Sequence, residues 1–295
     1  MPNYPFMQVD AFTDVALGGN PCAIVFEADG LDDAKRLAIA KEMNLSETAF
    51  VQKPKAEGAD VAARYFTVDE EIPLAGHPTI ATIYALVESG RLKLTGDLTR
   101  IMLELKVGPI PIEIYSSAGK VQRVVMSQKK PQFLKTHDAA DIMPAFGLKA
   151  EDVLKGYPIQ TVSTGTPQLM IPVPDLDTLR RVQINAALYN QLREKGDWFS
   201  PHLFCTQGVT AEGQTFARHV GPTLEDPFTG SATGGMAAYL YHYGLIQQKQ
   251  FVAEQGHWIA RPGKATVEII GSRDGIETVK VGGSAVTVLK GELLL

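Results

Sequence analysis

Two α/β domains, each a curved, barrel-like sheet wrapped round a central helix and related by a pseudo-twofold axis, are the fold class this sequence predicts. Three observations predict it. At 295 residues the chain has the length of about two ordinary domains. Residues 63–90 recur at residues 217–244, with eight identities in a gap-free comparison where chance would give about two. Each copy contains a stretch that is apolar around its whole circumference, ATIYALV and GGMAAYLY, which has to be enclosed on all sides.

The elements follow in order. FMQVDAF, CAIVF and TAFVQ read as strands, with LDDAKRLAIAKEMN as a more polar helix lying outside them. ADVAARYFT leads through a Pro-bearing turn to Gly76 and about 13 residues of helix, closed by Gly90 in the position that favours a left-handed residue. RIMLEL, PIEIY and VQRVVM complete the first set of strands. LMIPV, the outer helix INAALYNQLREKG and HLFCT open the second set, and GQTFARHV repeats the turn-and-helix passage up to Gly244. TVEIIG, ETVKVG and AVTVLK finish it. The first domain is expected over 1–119 and the second over 120–283, with the last strand, about 284–295, returning to the first.

Composition narrows the function classes. The net charge is −5 and the longest basic clusters are pairs, too small to follow a phosphate backbone, so nucleic acid is excluded as a partner. No apolar run approaches the roughly 20 residues that span a bilayer, and the N-terminus lacks a secretory pattern. Two cysteines in so long a chain fit a reducing compartment and give no metal-ligand spacing, so a cytoplasmic protein with no metal is expected. The sequence has neither a P-loop nor a G-x-G-x-x-G pattern, which speaks against a nucleotide enzyme.

The two copies share Glu71/Glu225, Pro73/Pro227 and Gly76/Gly230. A glycine at a helix start lets an anion approach the unpaired N–H groups closely. Gly76 and Gly230 are therefore candidate substrate-binding positions, although either alone could serve turn geometry only. Residues common to both copies read as architectural, Glu71 and Glu225 among them, so chemistry is sought where the copies differ. His77 stands opposite Ser231, Asp226 opposite Ile72, and Glu47 opposite Pro201. Taken singly, Glu47 reads as a solvent-facing glutamate, His77 and Ser231 as caps, and Asp226 as a turn-former. Together they are candidate catalytic residues, since an enclosed carboxylate can take and return a proton near neutrality.

QVDAFTDVALGGNPCAIVF, NLSETAFV, RYFTVDEEIPLAGHPTIAT and EDPFTGSATGGMAAYL resemble the phenazine-biosynthesis (PhzF-like) isomerases, within the diaminopimelate-epimerase-like fold. The resemblance implies a cofactor-independent active site between two domains, and a homodimer. It implies Glu47 as general acid/base, His77, Asp226 and Ser231 as supporting residues, Gly76 and Gly230 as backbone donors, and Asn20 as a substrate contact. The amino-acid epimerases of the wider fold carry a cysteine before each helix-mouth glycine, where this chain has Ala75 and Thr229. A two-thiol racemase is thereby disfavoured. The expected function is movement of a hydrogen within a small, unsaturated carboxylate substrate. A carboxylate-based epimerase pairing Glu47 with His77, and a non-catalytic binder of small acids, are the alternatives.

Overall fold

A computed structural model describes residues 3–295 and divides the chain into two compact units. The first comprises the chain up to Met126 together with Gly282–Leu295, and the second Ser127–Val281.

In the first unit the elements run β1 (Asn3–Ala11), β2 (Asn20–Val25), α1 (Asp33–Met43), β3 (Glu47–Gln52), β4 (Val61–Phe66), β5 (Glu71–Ile72), α2 (Gly76–Glu88), β6 (Leu98–Leu105), β7 (Gly108–Ser117) and β8 (Lys120–Ser127). β2 and β3 are parallel because α1 crosses between them, and β4 and β6 are parallel because α2 does. The hairpins β1–β2, β3–β4, β6–β7 and β7–β8 are antiparallel. Asp32 starts α1 by accepting from the Lys35 N–H at 2.8 Å. Ile39 and Ala40 of α1 pack on Val25, Phe50 and Phe66 of the sheet.

The second unit runs β9 (Gln132–His137), α3 (Ala139–Ile142), β10 (Ile159–Ser163), β11 (Pro167–Pro172), α4 (Leu176–Arg180), α5 (Ala186–Lys195), β12 (Ser200–Cys205), β13 (Thr215–Val220), β14 (Glu225–Asp226), α6 (Gly230–His242), β15 (Gln250–Gln255), β16 (Gly263–Ser272) and β17 (Gly275–Gly283). Its pairings repeat those of the first: β10–β11 antiparallel, β11–β12 parallel, β12–β13 antiparallel, β13–β15 parallel, β15–β16 antiparallel. Leu179, Tyr189 and Trp198 cover the outer face of its sheet against Leu169, Ile171 and Leu203. The last strand, β18 (Ala285–Leu294), lies antiparallel to β1 in the first unit. It occupies there the place that β9 takes beside β10.

α2 and α6 are 13 residues each and buried almost throughout. Ile80, Ile83 and Leu86 of α2 are at most 3 % exposed. Burying such side chains stabilises by roughly 1.5–3 kcal/mol apiece. Both helices end alike. Gly90 (φ +72°) and Gly244 (φ +73°) turn left-handed, and Leu92 and Ile246 donate back to the carbonyls of Leu86 and Leu240 at 2.9 and 3.3 Å. The duplicated Leu and Gly are thus the parts of one stop signal. Among the described residues no helix is long and apolar enough to cross a membrane.

Candidate active site

The duplicated residues build the same support beneath each central helix. Arg64 holds Glu71 with two parallel bonds of 2.7 Å, and Arg218 holds Glu225 with bonds of 2.9 and 2.6 Å. Each pair clamps a short hairpin, β4–β5 or β13–β14, directly before a helix start. Thr79 and Thr233 then donate to the carbonyls of Ala75 and Thr229 at 2.8 and 3.0 Å. Those N-cap residues make no side-chain cap of their own, Ala75 for want of a polar atom. Neither N-cap side chain thus accepts from the first N–H groups of its helix, at Gly76–His77 and Gly230–Ser231.

In the first unit Glu47 opens β3 with its side chain 19 % exposed, and His77 enters α2 with its side chain 5 % exposed. Oε2 of Glu47 and Nε2 of His77 are 3.1 Å apart. On the other side of the ring the Asn20 amide Nδ2 lies 3.1 Å from Nδ1. An amide nitrogen can only donate, so the ring proton is on Nε2, which lies beside Glu47 but makes no hydrogen bond. Burial pushes His77 down to about 3, with only the Pro21 carbonyl acting against it, so the imidazole is neutral at ordinary pH. Asn20 is fully buried and its amide is engaged by His77 and by the Ser46 hydroxyl at 3.3 Å. Expected as a substrate contact, it is brought by the fold against Nδ1 of His77.

In the second unit the Thr229 hydroxyl, instead of capping α6, donates to the carboxylate of Asp226. Gln255 braces the same turn, donating to the Asp226 carbonyl at 2.6 Å and accepting from the Thr229 N–H at 3.2 Å. Asp226 and Ser231 are half-buried, and Gly230 is buried. Gln128 donates to the Gly230 carbonyl at 2.9 Å and accepts from Thr164 at 2.5 Å, and Thr164 also reaches the Ser231 carbonyl. Gln128, Thr164 and Gln255 were not anticipated from sequence. They lie outside the repeated passage, and nothing in a lone Gln or Thr marks it as a support.

One sequence expectation is corrected. The gap-free comparison sets Glu47 against Pro201, whereas strand register sets it against Ser200. Phe50 pairs with Arg64, and Leu203 with the equivalent Arg218. The connection in the second unit is one residue longer, which shifts everything upstream by one. The parallel neighbours agree, since Cys22 aligns with Glu47 and Gln168 with Ser200. Cys22 and Cys205 are buried, at 0 and 1 % exposure, and burial raises both thiols. Among the described residues no three His, Cys, Asp or Glu side chains gather as a metal site requires.

Comparison with known proteins now bears on this geometry. The family model described as "Phenazine biosynthesis-like protein" matches residues 9–291. A trans-2,3-dihydro-3-hydroxyanthranilate isomerase of Pseudomonas fluorescens is 33 % identical over the full length of both chains. A solved phenazine biosynthesis protein of the PhzF family, from Bacillus anthracis, superposes with a TM-score of 0.88 at 32 % identity, covering both chains completely. A hydroxyproline epimerase of Agrobacterium vitis shares the fold with a TM-score of 0.71 at 12 % identity, over 99 % of this chain and 93 % of that one.

Proposed function

The chain belongs to the phenazine biosynthesis-like (PhzC-PhzF) family and is an isomerase, and from that premise we propose that it moves a hydrogen within a small unsaturated carboxylate by general acid/base catalysis. The observation that carries this reading is the Glu47–His77–Asn20 arrangement. A neutral imidazole stands 3.1 Å from a partly enclosed carboxylate without supplying a positive charge. Glu47 takes a C–H proton and returns it to another carbon. Proton transfer by a positioned group contributes typically 10²–10⁴-fold.

In this proposal the substrate lies in a cleft between the two units. The N–H groups at Gly76–His77 and Gly230–Ser231 receive its carboxylate or developing oxyanion, where each preorganised donor is worth about 3–4 kcal/mol in the transition state. Asp226, set by Thr229, takes an amino or ring group, and Ser231 assists at the mouth of α6. Asn20 acts through His77. No cofactor enters this scheme, which is read for a cytoplasmic homodimer. The relatives' named substrate, a dihydro-hydroxyanthranilate, gives the chemical class for a first assay.

The test is solvent-deuterium incorporation into substrate by wild type and Glu47→Gln. The variant is expected to fold normally and lose exchange by at least about 100-fold. Exchange at the wild-type rate would remove Glu47 from the role of base. Inversion of a stereocentre in recovered substrate would favour an epimerase, and binding without any exchange a binding protein.

A further inference from the structure

Ser200, the structural counterpart of Glu47, carries a polar chain that the proposed reaction does not use. Its hydroxyl lies 2.9 Å from Nε2 of His219 and donates to Oε1 of Gln168 at 2.7 Å. Nδ1 of His219 lies 3.3 Å from Nδ1 of His202. His202 is fully buried, and its Nε2 has no hydrogen-bond partner. It shares the inner face of β12 with Phe204, whose ring packs edge-on to Tyr239 of the central helix α6 at 5.5 Å.

The bonds can be followed in one direction. Ser200 spends its proton on Gln168, so His219 must donate from Nε2, and His202 then donates from Nδ1 to the bare Nδ1 of His219. The hydroxyl and the two ring N–H groups in the run are all used. One lone pair on the Ser200 oxygen is left, and the residue is half-buried.

Each unit thereby sets an imidazole beside the residue that opens the equivalent strand. In the first, an imidazole Nε2 lies 3.1 Å from Glu47 without a hydrogen bond, and Asn20 holds its other nitrogen. In the second, an imidazole Nε2 backs Ser200 and His202 holds its other nitrogen. The histidines come from different places, His77 from a helix start and His219 from β13, at the position equivalent to Tyr65. An imidazole has thus been brought independently to the same strand start, which a purely architectural serine does not require. The second version has no formal charge and offers an acceptor, so it suits a neutral donor where Glu47 suits an acidic C–H.

We propose that Ser200 is a second substrate-contacting residue, accepting a hydrogen bond from an uncharged hydroxyl of the substrate, with His219 and His202 as its positioning residues. This rests on the isomerase reading above for the claim that the ligand is a carboxylate.

Anthranilate and 3-hydroxyanthranilate, two aromatic acids differing by one hydroxyl, test it by titration calorimetry. Wild type is expected to bind the hydroxylated acid about five- to tenfold tighter, the worth of one net hydrogen bond. Ser200→Ala abolishes that preference while binding anthranilate within about twofold of wild type. Ser200→Thr restores it, and His219→Gln, whose amide can still donate, keeps part of it. A melting curve for each variant checks that it is folded. A preference that survives in Ser200→Ala, or a wild type that does not distinguish the two acids, overturns the proposal. Loss of preference in Ser200→Ala alongside undiminished deuterium exchange in Glu47→Gln would leave Ser200 assigned and remove Glu47 as the base.

Discussion

Nε2 of His77 and Oε2 of Glu47 lie 3.1 Å apart in the first unit, with the imidazole held uncharged by burial. A charged imidazolium there would lower the basicity of the carboxylate it faces. A neutral one adds no charge beside the carboxylate. Asn20 decides the tautomer, so the strand start at Asn20 and the helix start at His77 act as one piece.

The first prediction follows from that tautomer. Nitrogen-15 NMR of labelled histidine is expected to show His77 as the Nε2–H form, unchanged between pH 8 and pH 5, as its value of about 3 requires. Asn20→Ala frees Nδ1, mixes the tautomers and lowers turnover about tenfold, with KM little changed. A His77 resonance that titrates near 6.5 would show the ring is not held as described.

Acid stability gives the second. Burial lowers His77 to about 3 and His219 to about 4 from 6.5, and pushes His202 well down. Between the free and folded values the unfolded chain binds more protons. Stability is then fully present above about pH 6.5 and declines as pH falls below it. Urea midpoints at pH 7, 6 and 5 should drop progressively. His219→Gln should flatten the decline, by up to about 1.4 kcal/mol per pH unit.

The third compares the two clamps. Arg218→Ala strands Glu225, whose side chain is 16 % exposed, and releases the carbonyls of Leu179 and Val182. A loss of about 2–4 kcal/mol is expected on denaturant unfolding. Arg64→Ala should cost less, because Glu71 keeps Lys106 at 2.8 Å.

The fourth concerns Gly234. A Cβ at this helical position would fall on the Gln128 amide. Gly234→Ala, a change that raises helix propensity in isolation, should instead destabilise by about 1–3 kcal/mol and displace Gln128 from the Gly230 carbonyl. A melting temperature equal to wild type would show the amide yields freely.

How far the fold was legible varies with the kind of signal. The central helices could be read because their whole circumference is apolar, and their ends because Gly90 and Gly244 must adopt positive φ. The Arg–Glu clamps were marked by duplication, and Glu71 and Glu225 were read as architectural on that ground alone. β9 and β10 were missed: β9 (QFLKTH) alternates weakly, and β10 (IQTVS) is buried at every position, leaving no period to detect. The position opposite Glu47 was misassigned because the slip lies in a connecting loop. Loops absorb an extra residue at little cost, and a comparison begun at Ala63 cannot register one upstream. Gln128 and His219 carried no mark at all, since their roles depend on neighbours distant in sequence.

β18 leaves one more consequence. Residues 285–294 are made after the whole of the second unit, yet they are the neighbours of β1 from Asn3 to Ala11. A ribosome that has released the first 126 residues therefore holds a half-finished sheet with one edge bare. Until translation reaches the closing strand, that edge is open to adventitious pairing, and a chaperone would find it there.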